Sequence, residues 1–317
     1  MFRLVVFWIA LIRIDPWLLT SQKISLKAAV RHLPGAGWAM ASNAYLFLTR
    51  RFEKDQAHIE EMIEYYANSR HAYQLLLFPE GTDKDYRATE KSRQFALKQG
   101  LVHYSYVLHP RTTGFTIMLR KMRQVGYIKT IYDVTVAYAD TIVQSEFELV
   151  INGSCPKNIH FHVSKVDIDS LPENDDELTA QWLINRWKLK ETKLAQFYHS
   201  DDVQHRAFKI NSNYDEVFTL TTKSFMIYGA VVIFWIITSI FLMYAFLFYP
   251  SQYLLVILTI TIFLGSQFLL GGFEHIAIQA AKNTSLYAFR YRKAEKEHLA
   301  LSSDFSLSSS SKELLKK

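Results

Sequence analysis

The chain has 317 residues, half of them hydrophobic, with 36 lysines and arginines against 30 acidic residues and a formal charge of +6. That length holds one sizeable domain with additions, and the apolar share lies at the upper end of the soluble range, so a membrane component is expected. Cys155 is the only cysteine, which excludes an intrachain disulfide and a cysteine metal cage; the basic residues are dispersed and form no recognition motif, so the charge suits phospholipid headgroups or a phosphorylated substrate and not nucleic acid.

The first 19 residues are apolar, but Arg3, Arg13, Asp15 and Pro16 break them into a piece shorter than a bilayer span. A membrane-surface helix, the first core helix of the following domain and a signal sequence all fit this stretch. The lack of a small-residue cleavage site after it counts against the last. From residue 20 onward, apolar runs alternate with amphipathic stretches. Residues 45–48, 74–78, 104–108, 131–138 and 159–166 read as strands, and residues 53–67, 89–99, 113–124 and 176–197 as helices, the last carrying Trp182 and Trp187. Alternation at this spacing predicts an α/β layered domain over residues 20–213, with a mainly parallel sheet flanked by helices. In such sheets ligand sites form in loops beyond the carboxyl ends of strands.

Residues 224–273 contain no Asp, Glu, Lys, Arg or His, and only Tyr249-Pro250-Ser251-Gln252 interrupts the apolar run. The two parts, 225–248 and 253–270, are each near the ~20 residues that cross a bilayer core, and the proline favours a turn. A C-terminal transmembrane helical hairpin over 224–273 is predicted; a buried helical pair in a soluble core competes with it, but the uncharged run is long for core helices. A hairpin returns the chain to its starting side. Arg186, Lys188 and Lys190 before it, and Lys282, Arg290, Arg292, Lys293 and Lys296 after it, place both flanks in the cytosol. Residues 274–317 read as a basic flank and then a disordered tail rich in serine, with Ser302, Ser303, Ser306 and the run 308–311.

One loop has chemical content. The apolar run 74–78 feeds into Pro79-Glu80-Gly81-Thr82 before a helix-like stretch. Glycine permits positive φ or close approach of a ligand, proline fixes the entry, Thr82 offers a hydroxyl, and free backbone N–H groups in such a turn suit a phosphate. Glu80 can hold an arginine or accept a hydroxyl proton. A plain turn with a solvated glutamate is the alternative.

Phe78-Pro79-Glu80-Gly81-Thr82 resembles the FPEGT motif of the acyl-CoA-dependent glycerolipid acyltransferases. Gly35-Ala36-Gly37-Trp38-Ala39-Met40, followed by Tyr45-Leu46-Phe47-Leu48-Thr49-Arg50, is similar to the family's second block, an apolar strand that ends in a substrate-binding arginine. Val107-Leu108-His109-Pro110-Arg111-Thr112-Thr113-Gly114-Phe115 is similar to the fourth block, in the form of the lysocardiolipin and lysophosphatidylinositol branch. The three blocks cover residues 20–140, and the trailing hydrophobic hairpin extends the likeness to about residue 290. The resemblance implies transfer of a fatty acyl group from acyl-CoA, as co-substrate and with no cofactor, to the free hydroxyl of a lysophospholipid. It assigns Arg50 to the phosphate of the acceptor, Phe78, Pro79, Glu80, Gly81 and Thr82 to the shape of the same pocket, and His109 and Pro110 to a substrate contact. Location in the endoplasmic reticulum, with the α/β domain facing the cytosol, is the accompanying expectation.

The family's base is a histidine oriented by an aspartate five residues later, and no His-x-x-x-x-Asp pair precedes Arg50. His32 is followed five positions on by Gly37, so it reads as a loop residue. Phe7-Trp8-Ile9-Ala10-Leu11 resembles the stretch just after that block, which would put the motif at or before Met1, with Arg3 near the place of the aspartate. No catalytic residue is therefore assigned. His162 and Asp167 have the right spacing, but they follow the fourth block, and in a straight strand residues five apart point to opposite faces. His160 and His162 share a strand face and invite a metal, although a strand whose polar side meets water is the simpler account; no metal is assigned. Two expectations result: an acyltransferase whose chain is shortened here and has weak or no activity, or an inactive membrane protein that binds lipid phosphate in a regulatory role. A structural membrane protein without a ligand is the third.

Overall fold

The computed structural model describes residues 2–69, 71–143, 148, 151–173, 175–200, 202–208 and 222–284. Arg290, Arg292, Lys293, Lys296 and the serine-rich tail lie outside the described residues. In chain order the elements are α1 (Phe2–Ile14), β1 (Gln22–Lys27), α2 (Ala36–Ser42), β2 (Leu46–Leu48), α3 (Phe52–Asn68), β3 (Gln74–Leu76), α4 (Tyr86–Gln99) and α5 (Thr112–Gln124). They continue with β4 (Thr130–Tyr138), β5 (Ile159–Asp167), α6 (Asp176–Tyr198), α7 (Thr222–Phe248), α8 (Ser251–Leu269) and α9 (Phe273–Asn283). The chain is thus mixed α/β, with more helix than strand. It divides into two compact units, Met1–Gln22 with Leu76–Ile262, and Lys23–Leu75 with Phe263–Lys317.

The second unit contains a three-stranded sheet in the order β2-β1-β3, with β1 and β2 parallel and Ser25, Leu26 and Lys27 opposite Leu46, Phe47 and Leu48. The sequence hides β1, because Gln22 and Lys23 interrupt its apolar pattern although both are buried. Lys23 is accommodated by donating to the backbone oxygen and Oδ1 of Asn43 at 2.6 and 2.9 Å, while its Nζ lies 4.4 Å from the Tyr73 ring centre. Burial still lowers its pKa to about 8. On α3, Ile59, Met62, Ile63 and Tyr66 form the buried stripe that a 3.6-residue period dictates, and the Tyr66 hydroxyl donates to Ala44 O at 2.6 Å. Gly37 allows a close approach: a Cβ there would lie 2.3 Å from Val30 O and 2.7 Å from Arg31 O. On α9, which the sequence reading did not anticipate, Glu274 is buried and paired with Arg31, and Lys282 reaches Glu61 at 2.6 Å.

In the first unit β4 and β5 pair antiparallel over nine residues each, from Thr130 opposite Asp167 to Tyr138 opposite Ile159. The expected mainly parallel sheet is therefore a small parallel sheet plus a separate antiparallel pair. Asp175 caps α6, accepting from Leu178 N at 2.9 Å, and Thr179, Leu183, Trp187, Lys190, Leu194 and Phe197 form its buried stripe. Leu183, Trp187, Leu194 and Phe197 share a core with Tyr104, Val107, Ala137 and Ala139. Residues 104–108, expected as a strand, are bent chain. In α1, Leu11 is buried and Trp8 donates to Gln22, while Ile9 and Ile14, and Trp17 just after the helix, are exposed.

The polar side of β5 was expected in water, and the structure reverses this. Val163 is 54% exposed, whereas His160 packs edge-on against Phe197 and His162 lies 3.1 Å from Ser164 Oγ and 2.5 Å from Lys193 Nζ. The helix offers this face polar partners: Lys190 binds Asp133 at 2.5 Å and donates to Val134 O at 2.7 Å. A polar face can therefore be buried.

Within α7 and α8, residues 226–248 and 251–269 are long and apolar enough to cross a bilayer core. None of the 226–248 window is buried, and only 11% of the second. A soluble core helix would be covered on most sides, so these surfaces call for an apolar environment.

Candidate functional site

In the second unit β1 and β2 end together, at Lys27 and Leu48. Beyond them lies a hollow of about 290 Å³ lined by Lys27, Ala28, Ala29, Leu48, Thr49, Arg51 and Lys54. Three cations and no acidic residue line it, at the carboxyl edge of parallel strands where α/β folds place ligands. The turn that shapes it is pinned locally: Asp55, 8% exposed, accepts from both Thr49 N and Thr49 Oγ1 at 2.8 Å. Arg50 then takes the left-handed conformation, φ 65°, a region that costs a residue with a Cβ. Arg50 is exposed, and it is Arg51 that lines the hollow. Lys27, Arg51 and Lys54 were not assigned from the sequence. The available signals were the neighbouring arginines and the one-turn spacing of Arg51 and Lys54 at the start of α3.

In the first unit Phe78, Pro79, Glu80, Gly81 and Thr82 form a tight turn in which Gly81 N donates to Phe78 O at 2.9 Å and Gly81 has φ 72°. The glycine is needed for its backbone, as expected. Its N–H, however, is taken by the turn and so does not face a ligand. What meets the turn is Arg111: its backbone N–H donates to Pro79 O at 2.8 Å, and its side chain passes 3.4 Å from where a Gly81 Cβ would stand. Glu80 is half-buried and accepts from Trp187 Nε1 at 3.3 Å. Phe78 and Thr82 are exposed. Arg50 lies in the second unit and this turn in the first.

Pro110 is half-buried beside His109, whose ring stacks on Tyr104 with centroids 4.3 Å apart and whose Nε2 sits 3.1 Å from Val102 O. Burial lowers the His109 pKa, partly offset by that carbonyl. His32 is exposed at the end of a short 3-10 helix, Ala28–His32. His162 is not oriented by Asp167, which is bound 3.6 Å from Lys165; burial and then the nearby Lys193 charge lower its pKa. Among the described residues no group of three or more His, Cys, Asp and Glu is placed to hold a metal ion.

Residues 4–139 match the family model described as acyltransferase, and residues 150–228 the one described as acyltransferase C-terminus. Lysophosphatidylinositol acyltransferase 10 of Caenorhabditis elegans is 48% identical over 203 residues, 64% of this chain and 52% of that protein. Lysocardiolipin acyltransferase 1 of Gallus gallus is 44% identical over 56% of this chain and 46% of its own length. A probable 1-acyl-sn-glycerol-3-phosphate acyltransferase 5 of Arabidopsis thaliana is 32% identical over 56% of the chain and 46% of its own length. The chain spans about half the length of these relatives, and no solved structure matches it. With both family models matched in order along one chain, it belongs to the glycerolipid acyltransferase family, in the branch of the lysophosphatidylinositol and lysocardiolipin acyltransferases.

Proposed function

We propose that this chain acts on lysophospholipids, transferring a fatty acyl group from the thioester of acyl-CoA to a free hydroxyl of the acceptor. The ester forms as the thioester breaks, and the hydroxyl proton leaves with the coenzyme A thiol. The observation that carries the reading is the hollow lined by Lys27, Arg51 and Lys54 next to Arg50. Its cations match a phosphate diester or monoester, and guanidinium forks pair with phosphate oxygens. In the first unit, Arg111 over Gly81 and the carboxylate of Glu80 supply a second polar surface. The relatives' names supply the acceptor class, phosphate-bearing lysolipids. We further propose that α7 and α8 cross the bilayer as a hairpin turning at Tyr249-Pro250, in the endoplasmic reticulum with the basic flanks in the cytosol. Glycosylation acceptors placed in that connector would map the orientation, and modification with intact flanks is the expected result.

Binding without turnover is the second reading, and one observation favours it. The histidine that has an aspartate five residues later, His162, faces Lys193 and Ser164, while Asp167 is paired elsewhere. A general base contributes roughly 100- to 10,000-fold, so on this second reading the chain binds lysophospholipid and transfers little acyl. Reconstitution with labelled acyl-CoA and a panel of lysophospholipids checks this. Robust transfer abolished by His162→Ala would reverse the assignment, and no binding to any lysophospholipid would end both readings.

A further inference from the structure

Trp187 and Glu191 stand one turn apart on α6, so both project from the same side of the helix. They reach the two loops of the first unit described above. Trp187 donates from Nε1 to Glu80 Oε1 at 3.3 Å. The Glu191 carboxylate accepts from three consecutive backbone N–H groups, Ser105 and Tyr106 at 2.6 and 2.9 Å and Val107 at 3.1 Å. Successive amides turned to one point make an anion-binding concavity, and charge-assisted bonds to it are stronger than neutral ones. This explains why residues 104–108 are not a strand, since a side chain takes the N–H groups that a sheet neighbour would need. Downstream on the same loop, His109 N donates to Ser92 Oγ at 3.1 Å, and Arg111 hydrogen-bonds Pro79 and covers Gly81.

We propose that Glu191 is a positioning residue for the first unit's polar surface: its carboxylate sets the backbone of 105–107, and through it the placement of His109 and Arg111 against the Phe78–Thr82 turn. Trp187 holds the Glu80 end of the same arrangement. α6, which falls within the second family model, thereby organises loops that belong to the first. The claim rests on the acceptor-site reading, and its test separates the two.

The full 317-residue chain in lipid nanodiscs is compared with Glu191→Gln, Glu191→Asp, Arg111→Ala and the Glu191→Gln/Arg111→Ala double variant. Amide hydrogen exchange across 105–111 and affinity for a short-chain lysophosphatidylinositol are measured. Glu191→Gln is expected to speed exchange at 105–107 and also at 109 and 111, and to weaken the ligand roughly tenfold, the scale of a small misplacement. Glu191→Asp recovers part of both. Because Glu191 acts through Arg111 and His109, the loss in the double variant is smaller than the sum of the two single losses. Faster exchange confined to 105–107, unchanged affinity in Glu191→Gln, or additive losses in the double variant would overturn the proposal. If the unmodified chain binds none of the ligand, the acceptor-site reading fails; exchange at 109 and 111 then decides whether Glu191 sets the loop.

Discussion

The two units hold their site segments by different means. In the second, the turn between β2 and α3 is pinned by Asp55 to Thr49, six residues apart. In the first, the loop before His109 is pinned by Glu191, a carboxylate 84 to 86 residues further along the chain. Both use an anionic acceptor for backbone N–H groups that no strand receives. The local device depends only on α3 starting where it does. The distant one requires β4, β5 and α6 to be assembled, so the first unit's loop is a readout of tertiary structure in a way that the second unit's turn is not.

Four substitutions sharpen that contrast, ordered by expected effect. Gly37→Ala forces a methyl onto the carbonyls of Val30 and Arg31 and should destabilise the second unit by about 3 kcal/mol, seen as an earlier thermal transition. If the helix instead relaxed away from those carbonyls, alanine's higher helix propensity would make the change stabilising. Asp55→Ala leaves Thr49 N without its charged acceptor and should cost about 2 kcal/mol. The same variant should leave exchange at 105–107 unaltered, and faster exchange there would show that the two devices are not separable. Arg51→Ala should weaken lysophosphatidylinositol roughly tenfold, or about 1.4 kcal/mol, with an unchanged melting temperature. Arg50→Ala is the matching control: an equal loss assigns both arginines to the phosphate, and a loss for Arg50 alone would move the site away from the hollow.

The smallest effect is expected from acid. His58 in the second unit is half-buried, its buried Nε2 has no hydrogen-bond partner, and its pKa is lowered from 6.5 by burial first and then by the Arg31 charge, with His275 adding to this and Glu61 and Asp55 opposing. The unfolded chain therefore binds a proton that the folded one refuses. The stability from neutral His58 is full above pH 6.5 and lost as pH falls through the lowered folded value. His58→Phe should flatten the melting temperature of the second unit across that window. An unchanged slope would show that His58 does not carry the acid response.

Helices with a strong period were legible in the residues: α3, α4, α5 and α6 lie within a few residues of the expected bounds. β1 was missed because a buried lysine and glutamine look like surface, and α9 because its eleven residues follow directly on an apolar run. Residues 104–108 have a strand's composition and no strand's partner. The motif turn at Gly81 was read as a place for positive φ, which the structure shows, and the Gly81 N–H closes that turn on Phe78 O.

What the sequence determined unaided is whatever neighbours within two helical turns decide: the amphipathic stripes, the two uncharged helices α7 and α8, the glycine-dependent turn, and the three blocks that mark the family. What only the tertiary structure decided is which partner each polar group takes. Glu191 receives the amides of 105–107, Lys190 and Lys193 turn the histidine face of β5 inward, and Arg51 instead of Arg50 faces the hollow. The reason is desolvation: a buried donor or acceptor must be satisfied, and its partner is whichever complementary group folding brings within about 3 Å, however distant along the chain.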